Sequence, residues 1–523
     1  MSTLTVAAVD LGAESGRVGA AQFDGSRLSL NIHHRFPHQP SVVDGWLRWD
    51  IDGLWREVSD GLSSLAASTQ IASVGVDTWG LDYGLYGNEG RLLEAPTAYR
   101  DKHRIDVFSE IVSAVGASTI YDATGTQLME INSLFGLATD ARLRPKLLDR
   151  ARSMLMMPDV FHRLLSGSTV TEFSAASTTG MYDMKAGRWA TELLERVDVP
   201  VGILPDVVSS GTDVGPVIGQ LAVGGLAETR VILPAAHDTA SAVLAIPDAS
   251  PETLFISSGT WSLVGVVLDS PVVTAASQQA NLTNEGGYNG TVRFLRNVMG
   301  LWVLQECRRE WERDGLSVDY DTLITRAAAE VPLVSLINPN ATEFLTPGDM
   351  PRRIQDYCRV HAIPVPETIG QIARTVFDSL ALSYRLTAED IAAVTGVPLT
   401  SVAVVGGGGQ NALLQQATAD ATGLPVVCWA KEATALGNAA SQLRAVGEIG
   451  SIEQIWEVVR ASTQTHSFEP RSDGRWSDAA EKLRGLERAE SRRRGLEEPN
   501  ATSFAHQDVR ATWPRTAQKE ATQ

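Results

Sequence analysis

The stretch Val6-Ala7-Ala8-Val9-Asp10-Leu11-Gly12-Ala13-Glu14-Ser15-Gly16-Arg17-Val18-Gly19-Ala20-Ala21 decides how the rest of the chain is read. An apolar run ending in Asp10, a tip of glycines and a hydroxyl, and a second apolar run predict strand, glycine turn and strand. The same shape returns at Leu254-Phe255-Ile256-Ser257, then Ser258-Gly259-Thr260-Trp261, then residues 262–266. Two hairpins with small, hydroxyl-bearing tips therefore head two long segments, which suggests an internal duplication and two similar lobes. The competing explanation is that Gly-Ser hairpins recur without kinship, since they are common in any β-containing chain.

Outward from the hairpins, residues 71–77 read as a strand and 81–86 as its hairpin partner. Residues 104–116, 140–167 and 190–199 read as helices, with Pro158 just ahead of an apolar face of Val160, Phe161, Leu164 and Leu165. Ile372, Val376, Leu380 and Tyr384 recur at helical spacing and predict an amphipathic helix over 369–387. The strand 402–405 then ends in Gly406-Gly407-Gly408-Gly409 and gives way to the helical Ala412-Leu413-Leu414. Strands alternating with helices predict an α/β fold. The length of 523 residues exceeds the roughly 250 that one core serves. The expected division is 1–246, 247–487 and a flexible tail at 488–523, with Arg492, Arg493 and Arg494 as a solvated helix end.

Forty-four Lys and Arg face 62 Asp and Glu, a net charge of −18. Such a chain has no basic field for nucleic-acid phosphates or anionic membrane surfaces, so neither partner is expected. Its apolar runs are far shorter than the roughly 20 residues of a bilayer span. Cys307, Cys358 and Cys428 are odd in number and far apart, which fits neither a disulfide framework nor a CxxC metal site. With no basic, apolar leader at the N-terminus, a reducing cytoplasm is expected. No oligomeric state is predicted.

Four motifs carry chemistry. In the first hairpin, Gly12 and Gly16 let backbone N–H groups approach an anion, Ser15 offers a hydroxyl, and Arg17 offers positive charge. Asp10 beside that tip could hold Mg²⁺ through water, because hard cations take oxygen ligands. No lysine follows a glycine as GxxxxGK[ST] requires, so this is a phosphate hairpin of another kind, or simply a structural one. Ser258-Gly259-Thr260 repeats the chemistry, and across a cleft the two tips would hold a nucleotide's phosphates from opposite sides. The glycines at 406–409 could admit a flat base and ribose, with Asn411 as helix N-cap, or form only a tight turn. Finally, His237-Asp238-Thr239 ends an apolar run just before the second hairpin. Phosphoryl transfer needs a carboxylate to orient the attacking hydroxyl and take its proton, a role open to Asp238. His33, His34 and His38 read as a surface loop, because Pro37 breaks any helix aligning them. Trp46, Trp49 and Trp55 read as lobe packing.

Together these residues resemble the FGGY carbohydrate kinases. The resemblance runs in order through residues 9–17, Asp77-Thr78-Trp79-Gly80-Leu81-Asp82, His237-Asp238-Thr239-Ala240-Ser241-Ala242-Val243, Ser257-Ser258-Gly259-Thr260-Trp261, Asn284-Glu285-Gly286-Gly287, Arg296-Asn297-Val298-Met299-Gly300-Leu301-Trp302 and residues 405–411. It implies two ribonuclease H-like lobes of the actin-like ATPase type with ATP in the cleft between them. On that carry-over Ala13, Glu14, Ser15, Gly16, Arg17 and Thr260 meet the phosphates, and Gln305 and Gly407 belong to the nucleotide site. Gly80, His237, Asp238, Thr239 and Asn297 would contact a ketose, with Asp238 as proton acceptor. The implied reaction moves the γ-phosphate of MgATP to the 1-hydroxyl of L-rhamnulose. Glu14 departs from the hydroxyl residue often found there, and a carboxylate beside polyphosphate is repelled unless it points away or shares the metal. Alternatives are a kinase for L-fuculose or L-xylulose, a sugar sensor without turnover, or an actin-like ATP-binding module that needs no base at position 238.

Overall fold

The computed structural model describes residues 3–471 and 474–494. Its frame is two mixed sheets of the same design. In the first, Leu4–Leu11 is antiparallel to Ser15–Phe23, which is antiparallel to Leu28–Pro37. On its other side Leu4–Leu11 runs parallel to Ser73–Thr78, then come Arg230–Ile232, parallel, and Asp213–Pro216, antiparallel. The second sheet repeats that order and those directions. Thr253–Ser258 is antiparallel to Trp261–Leu268 and that to Val292–Met299, while Ser401–Val405 and Val426–Cys428 run parallel and His466–Phe468 closes the edge antiparallel. An extra strand, Thr283–Gly286, is added beyond Val292–Met299. The duplication suggested by the two hairpins is thus a duplication of whole sheets.

The central strands are covered on both faces, which is why they read as unbroken apolar runs instead of alternating ones. Leu4–Leu11 is buried from Thr5 onward. Helix Ile51–Ala66 covers the first sheet with Leu54, Val58, Leu62 and Leu65, and its first turn is capped by Asp50, which accepts from Gly53 N at 2.9 Å. Two helices join the lobes at the base of the cleft. Helix Ala433–Ala445 crosses helix Asp238–Leu244 so tightly that a Cβ on Gly437 would lie 1.8 Å from the Ser241 carbonyl oxygen. From the same helix Gln442 donates to Ala7 O, and Asn438 donates to Asp77.

Several local expectations are corrected. Tyr83–Tyr86 pairs with Ser153–Met156 in a separate two-stranded sheet, because the chain leaves the first sheet after Thr78. Residues 140–167 are not one helix. Helices Ser133–Leu143 and Pro145–Arg150 precede that strand, and helix Met157–Ser166 follows with Pro158 in its first turn, where a missing N–H costs nothing. The helix predicted at 369–387 extends over Ile369–Thr395 and is buried on nearly all sides, since other helices cover the face turned away from the sheet. His33 and His34 lie in the strand Leu28–Pro37, not in a loop, and His38 is packed against Trp49 and Trp79.

Residues 488–493, expected as tail, continue the helix Arg475–Arg493. The basic cluster is docked as well as solvated. Arg493 pairs with Glu343 and Glu490, and Arg494 donates to Glu130 at 2.7 Å. The rest of the expected tail, 495–523, lies outside the described residues.

Candidate active site

Parallel strands end where ligands are usually met, beyond their carboxyl ends. Leu4–Leu11 and Ser73–Thr78 place Asp10 directly opposite Asp77. The segment leading to His237 runs beside them, with Thr78 N donating to Ala236 O at 2.9 Å, and delivers Asp238 to the same edge. Three aspartates thus converge where two lobes meet. Burial raises the Asp10 carboxyl and pushes Asp77 well above the carboxylate range, with the Asp10 charge adding to the effect on Asp77. Asp238 is pushed up to about 7, first by burial and then by Asp10. Asp10 Oδ2 and Asp77 Oδ1 are buried and accept no hydrogen bond from the described residues, although Asp10 Oδ2 lies 3.2 Å from Arg17 Nη1.

A cleft of about 330 Å³ opens above these carboxylates. Its walls contain Ala13, Glu14, Ser15 and Arg17 from the first hairpin and Thr260 from the second, with Gln305 and Gly407. Asp10, Gly80, His237, Asp238, Thr239 and Asn297 line it too, so residues hundreds of positions apart in sequence share one cavity. Gly16 is the one predicted site residue not among them. It faces inward, where a Cβ would sit 2.2 Å from the Phe36 ring.

The glycine run serves two purposes. Gly407 borders open space, whereas Gly408 lies so close to the second hairpin that a Cβ would come within 2.0 Å of Ser258 Oγ. Asn411 is the helix cap expected of it, accepting from Leu414 N at 3.1 Å. The charge of Arg17 is shared: its Nη1 lies 3.2 Å from Asp10 and donates to Glu432 at 2.8 Å, while Arg35 also donates to Glu432. Glu14 pairs with Arg309 of the opposite lobe, which answers the repulsion that a lone carboxylate would raise.

Around Asp238, Thr239 donates through its backbone N–H at 2.6 Å and its hydroxyl at 3.2 Å, both to Oδ1. Trp49 and Trp79 both donate to the buried Asp82, which fixes the wall beside Gly80. Asn297 is held by Gln127 Oε1, which accepts from its backbone N–H at 2.8 Å, and by Glu285. Asp77, Glu285, Arg293, Arg309, Lys431 and Glu432 all take part here without having been read as site residues. Asp77 and Glu285 stand inside stretches that carried the resemblance, whereas Arg293 and Glu432 had no local signal.

Two duplicated α/β lobes, with paired hairpins facing each other over a carboxylate-floored cleft, define an actin-like ATPase fold. The profile of the FGGY family of carbohydrate kinases, N-terminal domain, matches residues 5–245, and that of the C-terminal domain matches 254–446. The chain belongs to the FGGY family of carbohydrate kinases. Among similar proteins, a rhamnulokinase of Bacteroides thetaiotaomicron is 41% identical over 475 residues, 90% of this chain and 97% of the relative. One from Pectobacterium atrosepticum is 38% identical over 502 residues, 95% and 99% of the two chains. Of solved structures, the ligand-bound xylulose kinase from Lactobacillus acidophilus superposes with a TM-score of 0.73 at 14% identity, covering 94% of this chain and 98% of that one. The Plasmodium falciparum glycerol kinase with ADP gives 0.71 at 14% identity, covering 95% and 99%. At such identities the structures speak for the fold alone.

Proposed function

We propose that this protein is a rhamnulokinase that transfers the γ-phosphate of MgATP to the 1-hydroxyl of L-rhamnulose, giving L-rhamnulose 1-phosphate and ADP in L-rhamnose catabolism in the cytoplasm. The observation that carries the reading is the similarity, over 90% or more of this chain, to proteins of that name, joined to a base-competent carboxyl in the cleft. The sugar kinase class follows from the family; the ketose is the proposal. Ala13, Glu14, Ser15, Gly16, Arg17, Thr260, Gln305 and Gly407 form the ATP side, with Gly16 contributing only backbone. Gly80, His237, Asp238, Thr239 and Asn297 form the ketose side. We place the lobe boundary at 246/247.

Asp238 is the proton acceptor. Burial brings its carboxyl near neutrality, so the ionised form is basic enough to take a proton from a sugar hydroxyl as the bond to phosphorus forms. The cation of this reading is Mg²⁺, which is usually shared between one or two carboxylates, phosphates and water. Asp10, whose Oδ2 accepts no hydrogen bond and has only the Arg17 guanidinium beside it at 3.2 Å, would hold it, and Asp77 stands behind. Bound there, the ion would neutralise charge on the phosphates. The protein's own residues orient the two substrates, and closure of the lobes keeps water from competing for the phosphate.

The ionised form of Asp238 is the active one, so kcat/KM for the ketose should rise with pH through about 7 and level off above it. A pH series at saturating ATP checks this. Arg309→Met should leave Glu14 unpaired beside polyphosphate and raise KM for ATP several-fold with little change for the ketose. Equal rises in both KM values would refute that role for the ion pair.

An ADP-release assay over a panel of ketoses and aldoses tests the substrate. L-rhamnulose should be among the best by kcat/KM; preference for L-fuculose or L-xylulose would replace the ketose while leaving the class intact. One hydroxyl's orientation suffices for such a change, because a site built to hydrogen-bond it is left with unpaired polar groups by the wrong sugar.

A further inference from the structure

His237 belongs to the first lobe, but the group that sets its chemistry comes from the second. Arg293, in strand Val292–Met299, is fully buried and stands directly opposite Glu285 on the neighbouring strand. Its Nε donates to Gly286 O at 2.9 Å, which anchors the guanidinium. Its Nη2 lies 3.0 Å from His237 Nδ1 and 3.3 Å from Glu285 Oε2. A guanidinium has only donors and does not lose its proton in a protein, so Nδ1 must be the acceptor. The single imidazole proton of neutral His237 then sits on Nε2.

That proton points into the cleft. His237 Nε2 is 3.4 Å from Asp238 Oδ1, and a Cβ on Gly80 would come within 3.3 Å of it. With the opposite tautomer, a lone pair would face the Asp238 carboxylate and repel it. Glu285 Oε2 approaches Nδ1 only to 3.5 Å, too long for a good hydrogen bond, and its Oε1 accepts from Asn297 Nδ2 at 3.2 Å. Burial and the Arg293 charge both push His237 well below its ordinary range, which keeps it neutral. The backbone N–H of His237 donates to Ser174 Oγ, so main chain and ring are both fixed. One chain of contacts therefore links Asn297, Glu285, Arg293, His237 and Asp238.

We propose that Arg293 is a positioning residue that reaches across the lobes to hold His237 as the Nε2–H tautomer, so that a ketose oxygen or the Asp238 carboxylate meets a donor. The inference rests on the ketose-kinase reading for its consequence, though the tautomer itself does not. Nitrogen-15 NMR of histidine-labelled full-length protein, with the His237 signal assigned by its loss in His237→Asn, should show protonation at Nε2. Protonation at Nδ1 overturns the proposal, and this measurement decides even if an Arg293 variant does not fold.

Kinetics supply the second arm. Arg293→Met should lower kcat/KM for the ketose roughly 10- to 100-fold, as partners that orient a histidine generally do, with KM for ATP unchanged. Arg293→Lys, which keeps a donor and a charge, should recover part of the loss. In a His237→Asn background Arg293→Met should cost nothing more. An equal loss in both backgrounds, or a parallel rise in KM for ATP, overturns the proposal. Failure of the wild-type protein to turn over any ketose would instead strike the functional reading and leave the tautomer standing.

Discussion

Asp238→Asn should lower kcat for ketose phosphorylation by roughly 10²- to 10⁴-fold, the range that a positioned general base supplies, and leave ATP affinity unchanged. The amide keeps the shape of the side chain, and its oxygen can still accept from Thr239 N and Oγ1, so the loop and the helix Asp238–Leu244 have no reason to move. Only the capacity to take a proton is lost. Stability gives an independent sign. A carboxyl whose folded-state value is raised from 3.8 to about 7 holds its proton more tightly when folded, so it favours the fold below pH 3.8 and loses that contribution as pH rises to about 7. At pH 8 the Asn variant should therefore melt no lower than wild type. Loss of turnover with intact ATP binding and undiminished stability would mark the base. Unchanged sugar-dependent turnover would eliminate it, and an ATP-binding module without sugar chemistry would return as the better account.

Gly437→Ala should be the most damaging small substitution away from the cleft. The added Cβ would fall 1.8 Å from the Ser241 carbonyl oxygen and 2.7 Å from its carbon, both backbone atoms that cannot swing aside. Either helix Ala433–Ala445 or helix Asp238–Leu244 must shift. Overpacking of this kind costs about 1–3 kcal/mol, which for a lobe of this size lowers the melting midpoint by about 2–4 °C per kcal/mol. Because the second helix begins at Asp238, displacement of the proposed base should also cut kcat, by up to about 100-fold for a movement near 1 Å. Calorimetry and steady-state kinetics check the two effects together. A variant with normal melting and normal kcat would show that the crossing has slack the packing does not reveal.

The sequence carried the lobes and most of the cleft for reasons visible in particular residues. Asp10 through Arg17 is a short-range pattern, so its strand, turn and strand are written locally, and the repeat at 254–266 made the duplication legible. His237, Asp238 and Thr239 are adjacent, so one motif contained the cleft carboxyl and its hydrogen-bond donors. What stayed hidden is long-range. Glu432 and Arg17 are 415 positions apart, and Arg293 and His237 are 56 apart on different lobes. No periodicity in either segment predicts which buried strand residue meets which ring. Tyr83–Tyr86 failed for the same reason: its partner strand, Ser153–Met156, arrives from well downstream. Arg494 was read by the acidity of the whole chain, whereas its pairing with Glu130 depends on how the terminal helix lies.

The most direct test of the central claim is identification of the product. Purified protein incubated with MgATP and L-rhamnulose should give one equivalent of ADP for each sugar phosphate, with the phosphomonoester on the C1 oxygen by ³¹P and ¹H NMR. ADP release without a sugar phosphate, or a phosphate placed at another hydroxyl, would contradict it.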